Sequence, residues 1–412
     1  MRKLLLLVVN LVIRLQKVRI CRMPNAECRM PNAECRIILT NITSVKSFSL
    51  KMSKNLNIKI PTVSDMISQF HTTHYKEGEI TSMDKKIKRI GVLTSGGDSP
   101  GMNAAVRAVA RTATHYGMEC IGIRRGWQGL INSDFVILNS DTVRHILGRG
   151  GTILYTARSE EFMTEKGREK AVATCKMLGL DGVVAIGGDG TFRGALELSR
   201  LGVPVMGIPA TIDNDIGCSN YTIGFDSACN TAIDCIDKLR DTMQSHERCS
   251  VVEVMGRHAG FLALYVGIAV GATSVLVPEH ELDFQKDVVE KIQNSRLSGA
   301  THFMVVVAEG VGSAIDIGRR IHEEIGLDPR VTVLGHIQRG GAPTGRDRET
   351  ATRMGYYAVK AFAEGRTGSI ICTREGGIVE TPIEEALAMT KHLQMERYDI
   401  LDAIASPSPR SW

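Results

Sequence analysis

Residues 90–105 read IGVLTSGGDSPGMNAA, and the fold is decided in this stretch. Ile90-Gly-Val-Leu-Thr is a short apolar run of the kind that forms a fully buried strand. Ser95-Gly96-Gly97-Asp98-Ser99-Pro100-Gly101 breaks it as a turn. Asn103 to Thr114, apolar at 104, 105, 108 and 109, then carries helical spacing. The same alternation repeats downstream. Cys120-Ile-Gly-Ile, Val183-Val-Ala-Ile and Val205-Met-Gly-Ile read as strands, and the helix between the last two carries Ala195, Leu196 and Leu198. Ser250 to Met255, Ser274-Val-Leu-Val and Phe303 to Ala308 continue the series. Short buried strands alternating with helices predict an α/β protein with mostly parallel sheets flanked by helices. Such sheets take ligands at the carboxyl ends of their strands, which is where the unusual residues fall.

Bulk properties agree with an enzyme-sized globular chain. The 412 residues suffice for one large domain or two ordinary ones, and 43% hydrophobic content supports a substantial core. Ten cysteines without a CxxC pair read as reduced thiols, so the expected compartment is cytoplasmic. The net charge of +5 is unevenly spread: residues 1–82 hold 13 Lys/Arg against 5 Asp/Glu, which leaves the remainder at about −3. That balance makes no case for a nucleic-acid partner.

The first 82 residues differ in kind from the rest. Met1-Arg2-Lys3 and the apolar run Leu4 to Ile13 resemble a short signal peptide, but the run is too short to span a bilayer and no small-residue cleavage site follows. An exact repeat comes next, Cys21 to Glu27 and again Cys28 to Glu34, and two copies of seven cannot build a solenoid. Residues 1–82 are read as an atypical leader, disordered or artefactual, from a translated nucleotide repeat or a mis-set start codon. A natural start then falls at Met83, with a targeting segment as the alternative; no membrane association is expected.

Three turns, two of them glycine-rich, each follow an expected strand. Ser95 to Gly101 leads into a helix whose free N–H groups and positive dipole end suit a phosphate, although a plain tight turn reads the same way. Gly187-Gly188-Asp189-Gly190-Thr191 repeats the arrangement, and its carboxylate either caps the helix or holds Mg²⁺. Pro209-Ala-Thr211-Ile212-Asp213-Asn214-Asp215 sets two carboxylates two residues apart. They suit either a proton acceptor beside a metal or a solvated acidic loop. A cationic group, Arg248, Arg257, Arg330, His336 and Arg339, lies in or beside apolar strand segments and suits a phosphorylated substrate; structural ion pairing is the alternative.

Taken in order, these segments resemble the bacterial-type ATP-dependent phosphofructokinases. The matching stretches are IGVLTSGGDSPGMNAA (90–105), GGTILYTARSEEF (150–162), AIGGDGT (185–191) and IPATIDNDI (208–216). YTIGFDSACNTAIDCIDKLRDT (221–242), SHERCSVVEVMGRHAG (245–260) and RVTVLGHIQRGGAP (330–343) continue the match, which covers about residues 85–405. The resemblance implies two domains. An ATP-binding domain would take 83–223 plus about 339–391, and a sugar-phosphate domain 224–338 plus about 392–412. It implies transfer of the γ-phosphate of ATP to the 1-hydroxyl of fructose 6-phosphate, with Mg²⁺ as cofactor. Gly97, Arg158, Ser159, Gly188, Asp189, Gly190 and Thr191 resemble the ATP site, with Asp189 serving the metal. Asp213 resembles the general base, and Arg257 and Thr211 complete the catalytic set. Thr211, Ile212, Asp213, Met255, Gly256, Arg257, Glu309, His336, Ile337, Gln338 and Arg339 resemble sugar-phosphate contacts. Arg248 and Arg330 match residues that the family supplies from a neighbouring subunit, which implies a homotetramer.

Departures from the family pattern bear on donor and regulation. Position 210 is Ala where ATP-using members commonly have Gly, whereas pyrophosphate-using relatives tend to carry Lys there and Asp at the place of Gly190. With Gly190 intact, ATP is the expected donor, and a pyrophosphate-dependent enzyme or a non-catalytic regulatory subunit are the alternatives. Arg107, Arg111 and Arg240 match the family's allosteric effector site, but Ser140, Thr273, Ser298 and Ala300 replace charged residues there. Weak or absent activation by ADP is therefore expected; a strong sigmoidal-to-hyperbolic conversion in a nucleotide titration would contradict it.

Overall fold

The computed structural model describes residues 87–394 and 396–405, so the expectations for residues 1–82 lie outside the described residues. Two sheets organise the chain. The larger has seven strands: β1 (Arg89–Thr94), β2 (Glu119–Ile123), β3 (Phe135–Leu138), β4 (Gly182–Gly187), β5 (Val205–Pro209), β10 (Ser369–Arg374) and β11 (Gly377–Pro382). Their order is β11-β10-β5-β4-β1-β2-β3, parallel except for the antiparallel edge pairs β2–β3 and β10–β11. The smaller sheet holds β6 (Cys249–Val254), β7 (Ser274–Leu276), β8 (Phe303–Ala308) and β9 (Arg330–Val333) in the all-parallel order β7-β8-β6-β9.

The central strands form because their runs are apolar on both sides. Every residue of β4 (GVVAIG) and β8 (FMVVVA) is buried, as parallel strands under helices on two faces must be. Helices α1 (Met102–His115) and α9 (Gly345–Ala363) cover one face of the large sheet, packing Val106, Val109, Met354 and Phe362 against Ile90, Val184 and Met206. On the other face lie α2 (Gly126–Ile131), α3 (Glu165–Met177), α4 (Asp189–Arg200) and α10 (Ile383–Ala388), around Trp127, Phe162, Phe192 and Leu198. The small sheet has α5 (Phe225–Ser245), α6 (Phe261–Ala269) and α11 (Glu396–Ala405) on one face and α7 (Lys291–Leu297) with α8 (Ala314–Ile325) on the other. Fully burying each such Val, Ile, Leu or Phe side chain contributes about 1.5–3 kcal/mol. Among the described residues, no helix is long and apolar enough to cross a membrane.

Asp347, fully buried in the first turn of α9, joins the two halves. It accepts from the N–H groups of Gly224 (2.7 Å) and Ser227 (2.9 Å) at the start of α5, and from the hydroxyls of Tyr221 and Ser227. Removing that carboxylate would strand four donors in the interior.

Strand order also locates the ligand site. From β1 the chain proceeds outward to β2, and from β4 it proceeds the opposite way to β5, so the sheet reverses direction between β1 and β4. Loops at the carboxyl ends of two such strands diverge and leave a crevice. In the small sheet the corresponding neighbours are β6 and β8. The loops singled out in the sequence follow β1, β4, β5, β6 and β8.

Candidate active site

The loops after β1 and β4 are tied together. Ser95 N–H donates to Ile186 O (3.0 Å), and the Thr191 hydroxyl donates to Ser95 O (3.0 Å). Glycine at 187 permits this: a Cβ there would lie 2.3 Å from Thr191 Oγ1 and 2.4 Å from Ser95 O. Gly190 is the reverse case, exposed and with no atom within 4 Å of a built Cβ. The two helices that start here lack side-chain caps, since Gly101 precedes α1 and Gly188 precedes α4. Side-chain caps occur at α3, α8 and α9, from Thr164, Ser313 and Thr344, while α2, α5, α6, α7 and α10 also lack one. Uncapped N-termini leave N–H groups and the positive dipole end for an anion. Arg158 is exposed, with no hydrogen bond or ion pair among the described residues. Ser159 is engaged locally, donating to Gln128 Oε1 (2.7 Å) and accepting from Phe162 N–H (3.1 Å).

The acidic loop after β5 is closed at its neck. Ala210 N–H donates to Gly187 O (2.9 Å), Ile223 N–H to Pro209 O (3.1 Å), and the Thr222 hydroxyl to Thr211 O (2.7 Å). Within it Asp213 is 6% exposed and its Oδ1 has no partner. Its backbone N–H donates to Thr211 Oγ1 (3.2 Å), and Ile212 beside it is wholly buried. Burial, and then the charge of Asp215, push the Asp213 carboxyl from 3.8 up to about 6. Glu309 adds to this, while the Arg339 guanidinium and a hydrogen bond from Thr211 oppose it. Asp189 is also raised, first by burial and next by Asp215, against the cations Arg193 and Arg257. The fields of Asp189, Asp213 and Asp215 thus overlap in one crevice.

Across from these loops lies the end of β6. Met255 N–H donates to Gln338 Oε1 (2.9 Å), and the N–H groups of Gly256 (3.2 Å) and Arg257 (2.7 Å) converge on Glu309 Oε1. Arg257 holds φ 59°, a left-handed conformation that is strained for a residue with a long side chain, and stands exposed. In the short 3₁₀ turn Gly335–Arg339, His336 and Ile337 face outward while Gln338 is wholly buried with its Nε2 unpartnered.

One placement was not legible in the sequence. Arg339 lies against the first glycine loop: its Nη1 donates to Asp98 O (3.0 Å) and would sit 2.7 Å from a Cβ on Gly97. Arg248 and Arg330 stand apart from the rest. They lie at the amino ends of neighbouring strands β6 and β9, lining a small cavity of about 40 Å³ with Leu239, Thr242, Met243, Cys249 and Ser250. Met255 to Arg257 lie at the opposite end of β6, roughly 20 Å away at a strand's rise per residue. Of the suspected effector residues, Arg107 Nε is buried without a partner, and Thr273 is tied to Met304 through its N–H and hydroxyl.

The sequence offered no reason to single out Lys391. Its Nζ donates to Asn214 Oδ1 (2.9 Å), Ser219 O (3.0 Å) and Asn220 O (3.2 Å), and it lies 5.2 Å from the centroid of the Phe261 ring. Burial lowers its ammonium from 10.5 to about 8; Asp215 and Cys218 oppose that shift, and Arg397 adds to it.

Two sheets with facing strand-end loops make a two-domain α/β fold. The chain belongs to the phosphofructokinase family: the family model for phosphofructokinase matches residues 89–362. It is 51% identical over 314 residues to an ATP-dependent 6-phosphofructokinase of Clostridium botulinum, covering 76% of this chain and 98% of that one. The same figures hold for the enzyme of that name from Shouchella clausii. Among solved structures it is similar to phosphofructokinase from Saccharomyces cerevisiae (TM-score 0.69, 32% identity), covering 77% of this chain and 46% of that one. The Pichia pastoris phosphofructokinase in the T-state gives a TM-score of 0.70 at 34% identity, over 84% of this chain and 38% of that one. The chain therefore spans less than half the length of these yeast chains. A pyrophosphate-dependent phosphofructokinase from Marinobacter aquaeolei shares the fold (TM-score 0.68, 20% identity, 78% of this chain and 93% of that one).

Proposed function

We propose that the chain is an ATP-dependent 6-phosphofructokinase, moving the γ-phosphate of ATP to the 1-hydroxyl of fructose 6-phosphate. The observation that carries this reading is Asp213: a buried carboxylate with an unpartnered oxygen, lying between the glycine loops and the turn at the end of β6. Held at about 6, it is ionised at neutral pH yet basic enough to accept a hydroxyl proton. The sugar oxygen then forms its bond to the γ-phosphorus, the bond from that phosphorus to the bridging oxygen breaks, and ADP departs. Thr211 orients the base. The uncapped starts of α1 and α4, with Gly97, Arg158, Ser159 and Gly188 to Thr191, receive the nucleotide phosphates. Arg257 meets the transferring group, and Met255, Gly256 and Glu309 receive the sugar.

Mg²⁺ fits these residues. Among the described residues, no group of three or more His, Cys, Asp or Glu could hold a metal alone, as suits an ion that keeps water and phosphate oxygens as ligands. Asp189, raised by burial and by Asp215, is the carboxylate that a cation would relieve. When bound, the ion neutralises charge on the phosphates. Positioning by the protein supplies most of the remaining rate enhancement.

The open space at Gly190 supports a nucleotide donor over pyrophosphate. We further assign 83–223 with about 339–391 to the nucleotide domain and 224–338 with about 392–412 to the sugar-phosphate domain. The strands of the large and small sheets divide accordingly. Arg248 and Arg330, far from their own site, would serve a neighbouring copy in a homotetramer, with His336 and Arg339 completing the 6-phosphate site. Seven described cysteines are free thiols, which supports a cytoplasmic location. The test is a coupled assay for fructose 1,6-bisphosphate with MgATP or pyrophosphate. Turnover with ATP alone, abolished in Asp213→Ala, is expected; turnover with pyrophosphate only, or with neither, would overturn the reading.

A further inference from the structure

We propose that Lys391 is a positioning residue for this reaction, pinning the turn Asp213-Asn214-Asp215 in its working shape. The inference rests on the phosphofructokinase reading above and deepens it. The loop 210–223 is closed at its neck by backbone bonds, but its interior needs a donor. Asn214 Oδ1 and the carbonyls of Ser219 and Asn220 all point at one place, and the Lys391 ammonium fills it with three hydrogen bonds. Among the described residues, no other side-chain donor reaches those two carbonyls, and only the Thr222 hydroxyl, at 3.4 Å, also reaches Asn214 Oδ1.

Two features make the pin matter for the base. Asn214 holds φ 52°, a left-handed conformation that asparagine tolerates better than most residues and that the bonds to its side chain hold in place here. That kink separates the two carboxylates, and both neighbours of Asn214 are therefore aimed by whatever holds it. Asp215 also lies within the electrostatic reach of Lys391, while it raises Asp213 and Asp189 by like-charge repulsion. An ammonium in the loop balances charge that would otherwise push the turn open.

The pin also reaches the other half of the molecule. Phe261, whose ring lies under the ammonium, is the first residue of α6, directly after the turn that carries Met255 to Arg257. Lys391 stands where the chain passes from α10 toward α11, and so from the large sheet to the small one. It thus couples the position of the base to that of the sugar-side turn. Displacement of reacting groups by about 1 Å is enough to cost about 100-fold in rate.

The test is Lys391→Ala, assayed with MgATP and fructose 6-phosphate beside the wild-type chain. A kcat loss of about 100-fold is expected, with both KM values within about threefold of wild type. Added propylammonium, which can re-enter the vacated space, should restore at least about a tenth of the lost rate. A kcat within threefold of wild type would overturn the inference, as would a loss that tracks unfolding and resists propylammonium. Asn214→Gly guards against a variant that does not fold: it keeps the left-handed backbone, deletes the acceptor, and is expected to lose kcat about tenfold. Full activity in that variant would also overturn the inference. A wild-type chain inactive with both donors would instead overturn the functional reading and the inference with it.

Discussion

Asp213→Asn removes a charge that the folded state holds at a cost, and the size of that cost follows from its surroundings. In an unfolded chain the carboxyl titrates near 3.8, and in the site it titrates at about 6, chiefly because it is buried and next because Asp215 is near. Each tenfold change in a proton equilibrium is worth about 1.4 kcal/mol, so ionised Asp213 costs the folded state about 3 kcal/mol at neutral pH. The sign is fixed by proton counting. Between pH 3.8 and about 6 the folded state binds more protons at this position than the unfolded state, so this contribution to stability falls as pH rises through that window. Above it the cost is fully present. The Asn variant escapes it, and the value of about 6 already includes the opposing pull of Arg339, so the variant should be about 3 kcal/mol more stable at pH 7.5 and no more stable at pH 3.5. Urea unfolding at the two pH values measures the difference, and the coupled assay should find the variant inactive. Equal or lower stability at pH 7.5, or a gain that persists at pH 3.5, would refute the account of the Asp213 environment.

Two further outcomes follow from the same crevice. Because Asp213 must be ionised to accept a proton, kcat/KM should fall below about pH 6; Arg339→Met should move that limb upward, since the lost guanidinium favours the carboxylate. The same variant should raise KM for fructose 6-phosphate about tenfold or more, the worth of a charge-assisted hydrogen bond, which substrate titrations at fixed ATP would read. Gly190→Asp should leave the thermal midpoint nearly unchanged, since its Cβ meets no atom within 4 Å, yet should depress ATP turnover about tenfold or more by setting a like charge beside Asp189.

Much of the fold was legible because parallel strands buried on both faces leave continuous apolar runs. The runs read at 90–94, 183–186, 205–208 and 303–308 lie in β1, β4, β5 and β8. Edge strands leave a weaker trace. In β3, Phe135 is 40% and Ile137 65% exposed, so no buried run marks it, and β11 is mostly half-buried for the same reason. The glycine loops and Asp213 could be read because glycine and carboxylate at a strand end are locally unusual. Lys391 could not: a lysine in Met389-Thr-Lys-His-Leu is ordinary until a loop some 170 residues upstream folds around it. Arg339 shows the complementary limit. Its residue type announces a charge, but only the packed chain shows that it lies on a glycine loop.

Gly187 and Gly190 lie three positions apart, and the forces acting on them are unrelated. At 187 any side chain collides with Thr191 and the Ser95 carbonyl, so a change is removed through loss of the folded protein, whatever substrate the cell supplies. At 190 a Cβ meets nothing, and on the proposed assignment of this residue to the nucleotide site a change is judged by the donor it admits. On that assignment, drift at the second site explores new phosphoryl donors without first acquiring compensating mutations in the core, which leaves donor choice a more evolvable trait than the architecture that carries it.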